Sequence, residues 1–251
     1  MRFFLRLSAL SCIISLLLIP FVVLADTVNF EDTFTEAGSS AINLVDHTPD
    51  TGTSWTKVLT RDIAGDHLVV HGVVDDLSAT LSSCLANEGA GYTADATYSN
   101  ADYFVEVTMT DGDTSDDYNW IGVRVEADGD GYWLRFNADT VAFAQLYEAS
   151  DAGVTWGTVG SAAGAAIADG SIVKLEIIGS AIKVYDDGVE IISTTDSTYT
   201  AAGKAGVGMG DLTNNGTDDC SGQDLDNFKV TVSAAAAAAA TPKKTKIITI
   251  Y

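Results

Sequence analysis

The chain has 251 residues, with 13 Lys+Arg against 35 Asp+Glu and a formal net charge of −22. Its few basic residues are scattered, apart from Lys243, Lys244 and Lys246, and this argues against a nucleic-acid partner, because a polyanion requires a Lys/Arg footprint. So much acid suits a soluble chain in a salty or calcium-containing milieu.

Residues 1–25 read as an export signal. Arg2 and Arg6 precede an apolar run from Leu10 to Leu24, and Val23-Leu24-Ala25 supplies the small residues a signal peptidase needs. A retained anchor is the alternative, but the run of about 15 residues is short for a span that needs roughly 20. Cys12 lacks the upstream leucine of a lipoprotein signal. Cleavage after Ala25 removes both arginines, taking the net charge from −22 to −24. The expected product is secreted or held at the cell surface, with no stable membrane span. Cys84 and Cys220 then remain. In an exported chain they suggest one disulfide, which closing so long a loop would make worth roughly 4 kcal/mol; two free thiols are the alternative.

Residues 26–233 lack helical periodicity and alternate in short runs broken by Gly, Asp, Asn and Thr, the pattern of an antiparallel β-sandwich of one domain. The expected strands are Val28–Thr33, Trp55–Leu59, His67–Val73, Ala79–Cys84, Tyr103–Thr110, Trp120–Glu126, Gly131–Asn137, Val141–Glu148, Ile172–Ile178, Ala181–Asp186, Val189–Thr195, Ala205–Met209 and Asn227–Val232. Hairpins are marked by Ala127-Asp128-Gly129-Asp130-Gly131 and by Asp186-Asp187-Gly188, whose residues tolerate positive φ. Residues 234–251 change to an Ala-rich linker and a short basic tail.

The segment from Trp120 to Tyr147 carries the sharpest pattern. With a period of two, Ile121, Val123 and Val125 fall on one face of the first strand and Trp120, Gly122 and Arg124 on the other. In the next, Tyr132, Leu134 and Phe136 oppose Trp133, Arg135 and Asn137. If Gln145 and Tyr147 share the Trp side, a patch of Trp120, Arg124, Trp133, Arg135, Asn137, Gln145 and Tyr147 spans three strands. Such a surface stacks sugar rings on indole faces and hydrogen-bonds their hydroxyls. The competing arrangement has Trp120 and Trp133 plugging the sandwich while Ile121 and Leu134 face outward.

Other chemistry is poorly supported. His67 and His71 on one strand lie roughly 13 Å apart, too far to share a metal. No G-x-S-x-G nucleophile turn occurs. Acidic loops at Asp111–Asp117 and Asp211–Asn227 could supply oxygens to calcium, though neither has an EF-hand register. Asn215-Gly216-Thr217 marks an exposed turn.

Several motifs, taken in order, carry a resemblance: Asp32-Thr33-Phe34, His47-Thr48-Pro49-Asp50 with Gly52 and Trp55, GYWLRF, KLEIIGSAIKVYDDGVEI, Ala202 to Gly208, and Leu225-Asp226-Asn227-Phe228-Lys229-Val230. Together they resemble the concanavalin A-like lectin/glucanase superfamily, and within it laminin-G-like modules of bacterial and phage surface proteins. The resemblance implies a jelly-roll whose concave face often binds carbohydrate. It also implies a structural calcium between the first and last strands, which would fall to Asp32 and Asp226. The Glu-x-Asp-x-x-Glu strand of the glucanases is absent, since Glu126-Ala127-Asp128 is followed by Gly131 at the second Glu position. The expectation is a secreted, non-catalytic module that binds cell-surface glycan. A structural or protein-interaction module of a surface assembly is the second reading, and a hydrolase with unrecognised carboxylates the third.

Overall fold

The computed structural model describes residues 25–35, 42–61, 67–71, 76–80, 89–96, 98, 100–112, 118–137, 143–163, 167–210 and 223–233. Residues 1–24, the basic tail, Cys84, Cys220, the Asn215 turn and most of both acidic loops lie outside them.

The strands are β1 (Thr27–Asp32), β2 (Ile42–Asn43), β3 (Trp55–Arg61), β4 (His67–His71), β5 (Asp76–Thr80), β6 (Gly89–Ala94), β7 (Tyr103–Gly112) and β8 (Asn119–Val125), followed by β9 (Gly131–Phe136), β10 (Phe143–Ser150), β11 (Thr155–Ala163), β12 (Ile172–Ile178), β13 (Ala181–Asp186), β14 (Val189–Thr195), β15 (Lys204–Gly210) and β16 (Gln223–Val232). They form two antiparallel sheets, so the expected all-β sandwich is the observed architecture. The larger sheet has nine strands in the order β14-β13-β12-β7-β16-β5-β4-β2, with β1 also on β16; the smaller has seven, β11-β10-β9-β8-β15-β6-β3. Among the described residues no helix is long and apolar enough to cross a membrane.

The core lies between the sheets, where alternation places it. Val105, Val107, Leu175, Ile182, Val184 and Val230 from the larger sheet meet Ile121, Val123, Leu134, Phe136, Leu146 and Val207 from the smaller. Ile121 and Leu134 are therefore core residues, and the arrangement that would have turned them outward does not occur. The outer face of the larger sheet is a charge ladder of Lys174–Glu176, Lys183–Glu190 and Lys229–Glu106 pairs, the first part-buried against the Phe104 and Tyr185 rings. An exposed pair such as Lys183–Glu190 adds little stability.

One edge of the sandwich is closed by a polar cluster under an aromatic one. Asp32 on β1 is buried, and its Oδ1 accepts hydrogen bonds from Phe34 N and from His47 Nε2, each at 2.8 Å. Its Oδ2 accepts from Trp55 Nε1 at 2.7 Å, a bond that crosses from the larger sheet to the smaller. The Trp55 ring meets Phe30, Phe34 and Phe228 at centroid distances of 4.9, 6.0 and 4.9 Å. The carboxylate expected to hold calcium is thus surrounded by N–H donors, which point hydrogen rather than lone pairs at its oxygens. A calcium ion does not fit at Asp32. Asp226 accepts from Asn227 N and Nδ2, and no group of three His, Cys, Asp or Glu side chains is placed to hold a metal among the described residues.

Trp55→Phe keeps most of the ring and leaves Asp32 Oδ2 without its donor. Urea denaturation should show a loss of about 1.5–3 kcal/mol with an unchanged m-value. A loss below about 0.5 kcal/mol would remove Asp32 from its place as the edge clasp.

Candidate functional site

The outer face of the smaller sheet is built from two cross-strand rows fixed by the register. One runs Leu59, Gly91, Gly208, Trp120, Arg135, Gln145, Ser161, and the next runs Thr56, Thr93, Gly206, Gly122, Trp133, Tyr147, Thr158. Small residues cluster on β6 and β15, and large ones on β8 to β10. The large rings accordingly lean across the glycines. A Cβ at Gly206 would lie 2.6 Å from Trp133 Cη2, and one at Gly122 would lie 3.0 Å from Trp133 Cε3, so the indole lies in a furrow that only glycine leaves open.

The sheet curls around this face. The β8–β9 and β10–β11 turns fold inward onto Leu59 of the edge strand β3, where a Cβ at Gly129 or Gly153 would come within 2.2 or 2.3 Å of Leu59 Cδ2. Inside the curl Leu59, Trp120, Val125, Trp133, Tyr147 and Ala149 form a second apolar cluster, with Val58, Tyr118 and Trp156 packed on it. Trp120 and Trp133 are each 0 % exposed. Their indole N–H groups donate to Gly210 O at 2.7 Å and Gly129 O at 3.0 Å, so both rings are satisfied internally.

The expected patch is therefore present in outline and altered in substance. Trp120, Trp133, Arg135, Gln145 and Tyr147 do share one face, but the two indoles are interior rather than open stacking platforms, because the sheet closes over them. Asn137, just beyond β9, is also buried, and its Oδ1 has no hydrogen-bond partner among the described residues. Arg124 leaves the face altogether. It has φ +52 at a bulge where β8 gains a residue against β15, and the inversion returns Val125 to the Trp side. Its backbone N–H donates to Tyr103 Oη at 2.6 Å, while Nε donates to Ala101 O, Nη1 to Tyr199 O and Nη2 to Asp102 Oδ1. Arg124 ties the β6–β7 and β14–β15 loops to β8 at one end of the sandwich.

What stays accessible on this face lies at its margins. On β10 and β11, the Trp156 ring is half-buried over Trp120 and Tyr147, with centroids at 5.4 and 6.0 Å. Beside it Gln145 Oε1 accepts from Tyr147 Oη at 2.7 Å and Arg135 Nη2 at 3.3 Å, and Gln145 Nε2 donates to the exposed Thr158 Oγ1 at 2.7 Å. The Arg135 guanidinium lies 4.1 Å from the Tyr118 ring centroid and 5.3 Å from that of Tyr147, a cation held against aromatic faces. Trp156 is the residue the sequence pattern failed to select, since no strand was expected across Thr155–Ala163. The Asp151-Ala152-Gly153 turn followed by Trp156 and Thr158 on alternate positions was the available signal.

On the far side, across β8 and β9, the start of β3, the end of β6 and the start of β15 border an open polar recess at Thr53, Thr56, Asp95, Ala96 and Lys204. Asp95 Oδ2 accepts from Ser54 Oγ at 2.8 Å and Thr56 Oγ1 at 2.6 Å, and Oδ1 pairs with Lys204 Nζ. Burial by itself would raise the Asp95 pKa, but the hydrogen bonds from Lys204, Thr56 and Ser54 outweigh it and hold the carboxyl below its ordinary value. Asp196 behaves likewise: burial is outweighed by donors from Tyr132 and Thr198. Tyr132 is in turn pushed up to about 12 by burial and by Asp196.

No protein-family model and no curated protein matches the sequence. Solved structures do match. A carbohydrate-binding module from Bacillus subtilis shares 16 % identity over 71 % of this chain and 95 % of its own, with a TM-score of 0.48. A prokaryotic β-1,3-1,4-glucanase (lichenase) derived from a mouse hindgut metagenome shares 13 % over 82 % and 98 %, at 0.49. A Bacillus subtilis protein of unknown function with a galectin-like fold shares 14 % over 79 % and 98 %, at 0.47.

Two outcomes are expected. Gly206→Ala should destabilise the protein by about 1–3 kcal/mol through overpacking against Trp133, and Trp133→Leu in the same chain should recover part of the loss; additive losses in a denaturation cycle would place the furrow elsewhere. Because the folded pKa values of Asp95 and Asp196 are depressed, their contribution is present above the unfolded value near 3.8 and is lost as pH falls through the folded values. The stability gap between wild type and Asp95→Asn should therefore narrow on acidification, and a gap that widens would reverse the assignment.

Proposed function

We propose that the protein is a secreted, non-catalytic glycan-binding module whose contact surface is the β10–β11 margin of the concave face. The carrying observation is the half-buried Trp156 ring, backed by Trp120 and Tyr147 and flanked by the amide of Gln145 and the hydroxyl of Thr158. A sugar ring laid on Trp156 would bury its C–H face on the indole, while its hydroxyls meet the second Nε2 hydrogen of Gln145 and the Thr158 hydroxyl. Trp120, Trp133 and Tyr147 then act beneath the surface, setting the position of the exposed ring rather than touching ligand. Neither cross-strand row places a carboxylate on this face, so the arrangement supports recognition rather than hydrolysis, which needs two facing acids. Export and cell-surface location belong to this reading. Calcium, if used, falls to the acidic loops at Asp111–Asp117 and Asp211–Asn227 rather than to Asp32.

A structural or protein-interaction module is the second reading. It is favoured by the internal satisfaction of both buried indoles, which gives the concave face stability without any ligand.

A glycan-array screen with matched Trp156→Ala separates the two. Saturable binding weakened at least about tenfold by the substitution, roughly 1.4 kcal/mol, is expected for a stacking contact. Binding unchanged in Trp156→Ala removes the proposed surface, and silence of the wild type on every glycan, with and without calcium, leaves the interaction module.

A further inference from the structure

We propose that the recess at Thr53, Thr56, Asp95 and Lys204 is a second binding site, for a neutral polyhydroxylated ligand that presents a vicinal diol. It goes beyond the Trp156 surface, from which β8 and β9 separate it, and does not depend on that surface being a glycan site.

The recess has a volume of about 460 Å³, within the range of small-molecule sites. Its wall is built before any ligand arrives. Thr53 N and Oγ1 both donate to Asp95 O, Asp95 N donates to Ser54 O, and the Ser54 and Thr56 hydroxyls fix the carboxylate. The one long flexible group is Lys204, whose side chain is 38 % exposed while that of Asp95 is 20 % exposed.

The charge balance selects the ligand class. Asp95 and Lys204 sum to zero, inside a chain whose net charge is −22. An anion would face the Asp95 carboxylate and the field of the whole protein, and a cation would meet the Lys204 ammonium. An apolar ligand would strip both charges of water and return nothing to them. A hydroxyl group both donates and accepts. A diol placed between the pair donates one O–H to Asp95 and accepts from Lys204 Nζ at the neighbouring oxygen, so one direct contact becomes two charge-assisted hydrogen bonds. The Thr53 and Thr56 hydroxyls, whose hydrogens go to Asp95, border the remaining space with lone pairs that accept. With no aromatic ring in the lining, binding rests on hydrogen bonds exchanged with water, and an affinity of about millimolar order follows.

The test is titration of the isotopically labelled protein with D-mannose and D-galactose, with glucuronate and inorganic phosphate in parallel, read by amide chemical shifts. A neutral hexose should shift the amides of Thr56, Asp95 and Lys204. Lys204→Met and Thr56→Val should each weaken that titration, the former at least about tenfold, and Thr56→Val keeps the test open should Asp95→Asn fail to fold. Trp156→Ala should leave it unchanged, which separates this site from the concave margin. The proposal is overturned if neither hexose shifts these amides, if glucuronate or phosphate shifts them more strongly, if Lys204→Met leaves the titration intact, or if Trp156→Ala abolishes it.

Discussion

A tryptophan can lie flat on a β-sheet only where the strands beneath it carry no side chains. Trp133 rests over Gly122 and Gly206 on neighbouring strands, and a methyl group at either would press into its ring. The rest of the concave side follows from that contact. With the indole lowered into the furrow, Trp120 and Tyr147 close beside it, Trp156 covers them, and the sheet can curl until its two turns reach Leu59. A face that would otherwise be a wide apolar groove becomes a second core, and water is kept from it by packing alone.

Filling the groove leaves accessible groups only at its edges. At the β10–β11 margin an indole face remains half open next to an amide and a hydroxyl. At the β3–β6–β15 margin a carboxylate and an ammonium stand in a polar recess. The two margins differ in chemistry, an aromatic face at one and an ion pair at the other, and the curled sheet separates them. On the opposite side of the sandwich the Lys and Glu side chains pair with one another, and Lys174 lies over the Phe104 and Tyr185 rings.

Much of this was legible in the sequence. The period of two sorted Trp120, Trp133 and Arg135 from Ile121 and Leu134 correctly, and the strands at Ile172–Ile178, Ala181–Asp186 and Val189–Thr195 stand where expected. What alternation cannot convey is curvature, so a face that was correctly grouped was read as open. The two longer strands that escaped notice, Gly89–Ala94 and Thr155–Ala163, are rich in Gly and Ala, weak strand formers by propensity. The glycines that form the floor under Trp133, Gly122 and Gly206, belong instead to β8 and β15. Arg124 was misplaced because a single residue at positive φ inverts every later side chain in its strand. Asp32 is a metal ligand only by the family resemblance, and its observed partners, His47 and Trp55, are distant in sequence and converge only when the two sheets meet.

The central claim is that the concave face is filled by its own aromatic side chains and that Trp156 is its outermost ring. The chain has 4 tryptophans, and their relative rates of oxidation by hydroxyl radical, resolved by mass spectrometry of the native protein, test this directly. Trp156 should react first while Trp55, Trp120 and Trp133 stay protected until the protein unfolds. Oxidation of Trp120 or Trp133 as fast as that of Trp156 would contradict it, and would restore an open groove in place of a second core.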